Sequence, residues 1–143
     1  MERNPASDSL LNWVYRMVID ILKSGFWKIK FRYLYYDKKR KAWITLTRAV
    51  IDPGERYKLM DACVDFDSNV IFIHPESQGE RELCLFHECL EILFAEWKDE
   101  YYVPARWGLD KNVDPILVME AATWDKLTPR EKATIKSYLP KRP

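Results

Sequence analysis

Apolar residues recur at helical spacing through Leu11, Val14, Tyr15, Val18, Ile21 and Leu22 until Gly25 interrupts them, and Ser7-Asp8-Ser9 stands ahead as an N-cap. This pattern predicts an amphipathic helix over about residues 8–24. From Trp27 the period falls to two, with Ile29, Phe31, Tyr33 and Tyr35 alternating with Lys28, Lys30 and Arg32. After the polar stretch 37–41 a second run covers residues 43–50, and the two runs are expected to form a β-hairpin with one wet, basic face. Pro53-Gly54 then breaks the chain. Residues 63–66 and 70–73 flank Asp67-Ser68-Asn69, a turn composition suited to a second hairpin, so hairpins are expected over about 26–73.

Pro75 stops the last of these strands, and residues 80–97, free of Gly and Pro and rich in Leu, Glu and Ala, form the strongest helical candidate. Asp114-Pro115 supplies an N-cap and an N1 proline for a helix to about Asp125, and Thr128-Pro129 starts another that runs to Tyr138. No internal repeat or linker interrupts this order of helix, two hairpins and helices. It implies one α+β domain over residues 1–143, with a small, mainly antiparallel sheet packed against helices and the long helix directly after a hairpin.

Composition narrows the function classes. At 48% hydrophobic and 31% charged, the 143 residues suit one globular core rather than disorder or low complexity. Lys plus Arg (23) nearly balances Asp plus Glu (22), so net charge supplies no reason to invoke nucleic acid or an anionic membrane. Asn12, Arg16 and Asp20 break the first apolar stretch, which is neither a signal-peptide core nor a membrane span. Cys63, Cys84 and Cys89 cannot all pair with one another and show no Cys-x-x-Cys spacing, which points to a reducing, cytoplasmic setting.

Chemistry concentrates on the long helix. At about 100° per residue, Leu83, Phe86, Leu90, Leu93, Phe94 and Trp97 share a broad apolar face, and Leu85, Cys89 and Ile92 dilute the opposite side. His87 and Glu91 stand one turn apart on this helix, with Glu88 between them. A carboxylate so near a core face needs a counter-ion, a hydrogen-bond partner or a metal, because burying an unpaired charge is costly. Side chains four residues apart can share one ion, and the residue next to the first is turned toward water at that ion.

The run Phe86-His87-Glu88-Cys89-Leu90-Glu91 resembles the active-site helix of the zincin metallopeptidases, whose motif is His-Glu-x-x-His. The resemblance covers roughly residues 60–125, since minimal zincins, including phage-type and ImmA/IrrE-like proteins, place an edge strand immediately before that helix. It implies a metal-dependent peptidase, or a catalytically reduced relative, acting on a peptide or protein. His87 matches the first zinc ligand and Glu88 the general base, while Glu91 stands where the family has its second histidine. With one imidazole and carboxylates as ligands, less positive charge remains to acidify bound water, so zinc, a harder ion such as manganese, or no ion at all are the three occupancies to weigh.

A third ligand must come from Glu96, Asp99, Glu100, Asp110, Asp114 or Glu120, and Glu120 is favoured. It shares the apolar side of its helix with Ile116, Leu117, Thr123 and Trp124, as families with a glutamate third ligand take it from a later helix. His74, at a strand end, is an alternative imidazole, and Cys84 with His87 and Glu91 an alternative ligand set. A non-enzymatic binding module with the same fold is the rival function. Seven Lys and Arg fall between Lys28 and Lys41, with Tyr33, Tyr35, Tyr36 and Trp43 among them, a combination that can contact phosphates and stack on bases. Alternating Lys and Arg also simply solvate a strand and guard its edge; without a nucleic-acid signature, that is the expectation here.

Overall fold

Each helix starts or stops where its sequence provides the device. In the computed structural model, which describes residues 9–50, 54–77, 80–95 and 115–141, helix α1 (Ser9–Lys23) gives way to Gly25 at φ +73°. That left-handed conformation closes a helix at little cost only without a Cβ. Leu11, Val14, Val18 and Leu22 form the buried stripe of α1, as the spacing predicts. Helix α2 (Arg81–Ala95) follows a turn in which the Arg81 guanidinium donates to the Pro75 carbonyl. Helix α3 (Pro115–Thr123) runs into a 3₁₀ turn (Trp124–Lys126), and the Thr123 hydroxyl donates back to the Met119 carbonyl at 2.7 Å. Helix α4 (Pro129–Lys136) opens with a capping box, in which Thr128 accepts from the Glu131 amide and Glu131 accepts from the Thr128 amide. The expected caps Ser7, Asp8 and Asp114 lie outside the described residues, as do Glu96 and Trp97.

The chain is an α+β protein, and the strands among the described residues form two three-stranded sheets. One has the order β1 (Lys28–Phe31), β6 (Val70–Ile73), β5 (Ala62–Asp65); the other has β3 (Ala42–Leu46), β2 (Tyr33–Asp37), β4 (Tyr57–Leu59). The hairpin expected over 63–73 is present as the antiparallel pair β5–β6, with Val64 opposite Ile71. The alternating run from Trp27 to Tyr35, expected as one strand of the first hairpin, is two strands in different sheets. Strand β1 pairs in parallel with β6, placing Ile29 opposite Ile71, and β2 pairs antiparallel with β3. The switch falls at Arg32, whose amide donates to the Ile73 carbonyl at 3.1 Å before the chain leaves for the second sheet. Period-two alternation fixes which face a side chain takes but not the strand it lies beside, so it could not disclose this exchange or the short strand β4.

Helix α2 lies at the centre. It packs on β5 and β6 and also against α1, α3 and α4. Leu85 and Cys89, placed by the wheel on its less apolar side, are as fully buried as Phe86 and Leu90, because the helix is enclosed from two directions. The main core joins α1, α2, α3 and α4 to Ile71 and Ile73, and Phe86 meets Trp124 with ring centroids 5.3 Å apart. Leu117, expected on the apolar side of α3, is 53% exposed; Ile116 and Met119 carry the packing instead.

Between the sheets sits His74, fully buried. Its amide donates to the Asp61 carbonyl, its Nδ1 accepts from the Glu76 amide at 3.0 Å, and its ring meets Tyr33 and Tyr35 edge to face. Burial lowers its basicity below the ordinary imidazole value, and it serves as a neutral joint between the two sheets.

Since Leu90 has no exposed surface and belongs to the enclosed helix, Leu90→Ala should destabilise the protein by about 2–5 kcal/mol in denaturant unfolding. A loss below about 1 kcal/mol would mean that α2 is not the packing centre.

Candidate functional site

The two faces of α2 leave one strip that neither sheet nor helices cover completely, and His87 and Glu91 emerge there, each about three-quarters buried. Successive turns place them together, with His87 Nε2 at 3.6 Å from Glu91 Oε1. From the neighbouring α3, Glu120 approaches the other ring nitrogen, its Oε1 lying 3.0 Å from His87 Nδ1. The imidazole is therefore held between two carboxylates. Glu91 above all, then Glu88 and Glu120, raise its basicity to about 9 against the opposing effect of burial.

Glu88 faces a different environment. It is only 6% exposed, and burial lifts its carboxyl to about 7, with Glu91 and Glu120 adding to the rise and His87 opposing it. Beside it opens a cavity of about 370 Å³, lined by His87, Glu88 and Cys84 of α2, Glu120 of α3, Glu80 just before α2, and the segment from Met60 to Ala62 leading into β5. Asp61, Glu80, Glu88 and Glu120 give this cavity a negative lining, and no Lys or Arg side chain is among the described residues around it.

The sequence-derived candidates are thus brought together in part. His87, Glu88, Glu91 and Glu120 share one site, while His74 is committed to the joint between the sheets. Glu96, Asp99, Glu100, Asp110 and Asp114 lie outside the described residues. Among the described residues no three His, Cys, Asp or Glu side chains are grouped so as to hold one ion between them. The expected ligands His87, Glu91 and Glu120 do not converge on one point, because Glu91 and Glu120 lie at opposite nitrogens of His87. Cys84 lines the cavity, but burial pushes its thiol up to about 11, so it is a protonated side chain rather than a ready thiolate. Asp61 and Glu80 escaped sequence reasoning because nothing in their local pattern distinguishes them from ordinary polar residues at element ends.

The basic cluster divides between the sheets. Lys28 and Lys30 project from β1, whereas residues 38–41 form the β2–β3 turn, in which Lys41 adopts φ +56°. That turn is built around the buried Asp37. Its carboxylate accepts from Arg56 Nε and Nη2 at 3.1 and 3.0 Å and from the Lys39 and Arg40 amides. The Arg56 guanidinium, helped by those two amides, holds the Asp37 carboxyl down at about 2 against an ordinary 3.8. Part of the positive charge thereby has a structural counter-charge.

No protein-family model, curated protein or solved structure matches the chain. Among the described residues no helix is long and apolar enough to cross a membrane.

A carboxyl depressed in the folded state contributes stability that is complete above its unfolded value and disappears as the pH falls through the folded one. For Asp37 that window runs from about pH 4 down to about 2. Wild type should lose stability across it more steeply than Asp37→Asn, by about one proton in the pH slope of the unfolding free energy. Parallel slopes would remove Asp37 from the acid response.

Proposed function

We propose that the chain is a zincin-like metal-dependent hydrolase acting on a peptide or protein, with the ion held at His87 Nε2 and Glu91 and Glu88 as the general base. One observation carries this reading. The 3.6 Å ion pair between His87 Nε2 and Glu91 Oε1 is close to the roughly 3.4 Å that separates two donors sharing one tetrahedral ion with bonds of about 2.0–2.1 Å, so a divalent ion would take the place of the Nε2 proton between them. The donor set, one imidazole and a carboxylate beside a negatively lined cavity, suits zinc or manganese.

A divalent ion bound there would supply Lewis-acid polarisation of a carbonyl group and of water. The protein's own residues do the rest. Glu88, with a carboxyl near 7, is matched to taking a proton from water at neutral pH and returning it to a leaving amine. Strand β5 ends its sheet, and the residues leading into it line the cavity, so an extended peptide can add to that edge with its backbone beside Glu88. Glutamate in place of a second imidazole leaves less net positive charge at the ion, which favours slow hydrolysis.

Elemental analysis of protein purified without added metal, followed by calorimetry with zinc and manganese, tests the site. We expect one ion per chain, lost in the double variant His87→Ala, Glu91→Ala. Glu88→Gln should retain the ion and lower peptide hydrolysis by about 10²–10⁴-fold. Equal binding by wild type and the double variant would refute the metal site. Unchanged hydrolysis in Glu88→Gln would remove Glu88 from catalysis.

A further inference from the structure

An imidazole has two nitrogens, and its neutral form carries one proton between them. At His87 the two are unequally engaged. Nδ1 lies at hydrogen-bond distance, 3.0 Å, from Glu120 Oε1, whereas Nε2 is 3.6 Å from Glu91 Oε1. An ionised carboxylate only accepts, so a bond between Glu120 and the neutral ring requires the proton on Nδ1. Nε2 then presents a lone pair on the side of Glu91. The backbone that carries Glu120 is anchored, because Ile116 and Met119, one turn and one residue earlier on α3, are almost wholly buried. Glu120 thus reaches His87 from an anchored stretch of the neighbouring helix.

We infer that Glu120 is a positioning residue rather than a third ligand: it accepts the Nδ1 proton of His87, selects that tautomer and aims Nε2 at the ion position. Its use toward an ion rests on the function proposed above, but the tautomer assignment does not. A partner on the second nitrogen fixes the orientation of a ligating imidazole and raises its donor strength. It leaves His87 and Glu91 as the ion's ligands among the described residues, one fewer than the three protein ligands of a typical catalytic zinc site.

The chain contains two histidines, and they provide an internal contrast. His74 Nδ1 accepts from the Glu76 amide, so its neutral ring carries the proton on Nε2. Nitrogen-15 NMR of the full chain, labelled at histidine and recorded without metal at alkaline pH where both rings are neutral, should therefore show opposite tautomers. His74→Gln assigns the signals. His87 should be protonated on Nδ1 in wild type, remain so in Glu120→Gln, whose amide oxygen still accepts, and move toward Nε2 protonation in Glu120→Ala. Nε2 protonation in wild type, or a tautomer indifferent to Glu120→Ala, would overturn the inference.

Zinc calorimetry on the same proteins separates positioning from ligation. Glu120→Ala should weaken binding about 10–100-fold and Glu120→Gln less, while Glu91→Ala should abolish it. Loss in Glu120→Gln as complete as in Glu91→Ala would make Glu120 a ligand and overturn the inference. Absence of zinc and manganese binding in wild type would defeat the metal reading, while the tautomer result would still decide the role of Glu120.

Discussion

Enclosure of α2 on two sides is the constraint from which the rest of the molecule follows. A helix packed only on one face can turn its charges outward, but α2 has a sheet on one flank and three helices on the other. Past its first turn, its ionisable groups are His87, Glu88 and Glu91, which lie near the strip between those partners. There desolvation raises the Glu88 carboxyl while neighbouring carboxylates raise the His87 imidazole, both toward the proton-bound form. A merely structural helix does not need ionisable residues at these positions, since replacing buried ionic groups by well-packed apolar ones is often neutral or stabilising. The site is thus held in place by packing that its own charges oppose.

Much of this was legible from one segment. A Gly-free and Pro-free stretch with His87, Glu88 and Glu91 among Leu and Phe announces a buried helix with polar residues in need of partners, and the hairpin before it is written in Asp67-Ser68-Asn69. Glu120 could be singled out because it shares a side of its helix with Ile116, Leu117, Thr123 and Trp124, although Leu117 proves to be exposed. Which nitrogen it would meet could not be foreseen, since that depends on the approach of α3 to α2 and not on spacing within either. Asp61 was equally hidden, as it reaches the cavity only through the sheet register that brings β5 alongside α2.

The second sheet shows another limit of local pattern. Asp37 reads as a turn residue beside four basic neighbours, yet it is buried, and its main partner is Arg56, nineteen positions away. His74 likewise reads as a spare imidazole until Tyr33 and Tyr35 close over it. In both cases a polar residue takes part in tying the second sheet together or to the first, Asp37 through its carboxylate and His74 through Nδ1 and its ring face.

The parallel pairing of β1 with β6 also bears on how the chain reaches this arrangement. Ile29 can meet Ile71 only after the intervening second sheet has been looped out, whereas β5 and β6 are joined by a short turn. Closing that long loop carries an entropy cost that the β5–β6 hairpin does not, so the hairpin and α2 are expected to form first and β1 to add late. Until it arrives, β6 presents an unpaired apolar edge containing Val70, Ile71 and Ile73. The interval between synthesis of that strand and docking of β1 is therefore the stage at which two nascent chains are most prone to pair with each other instead of folding alone.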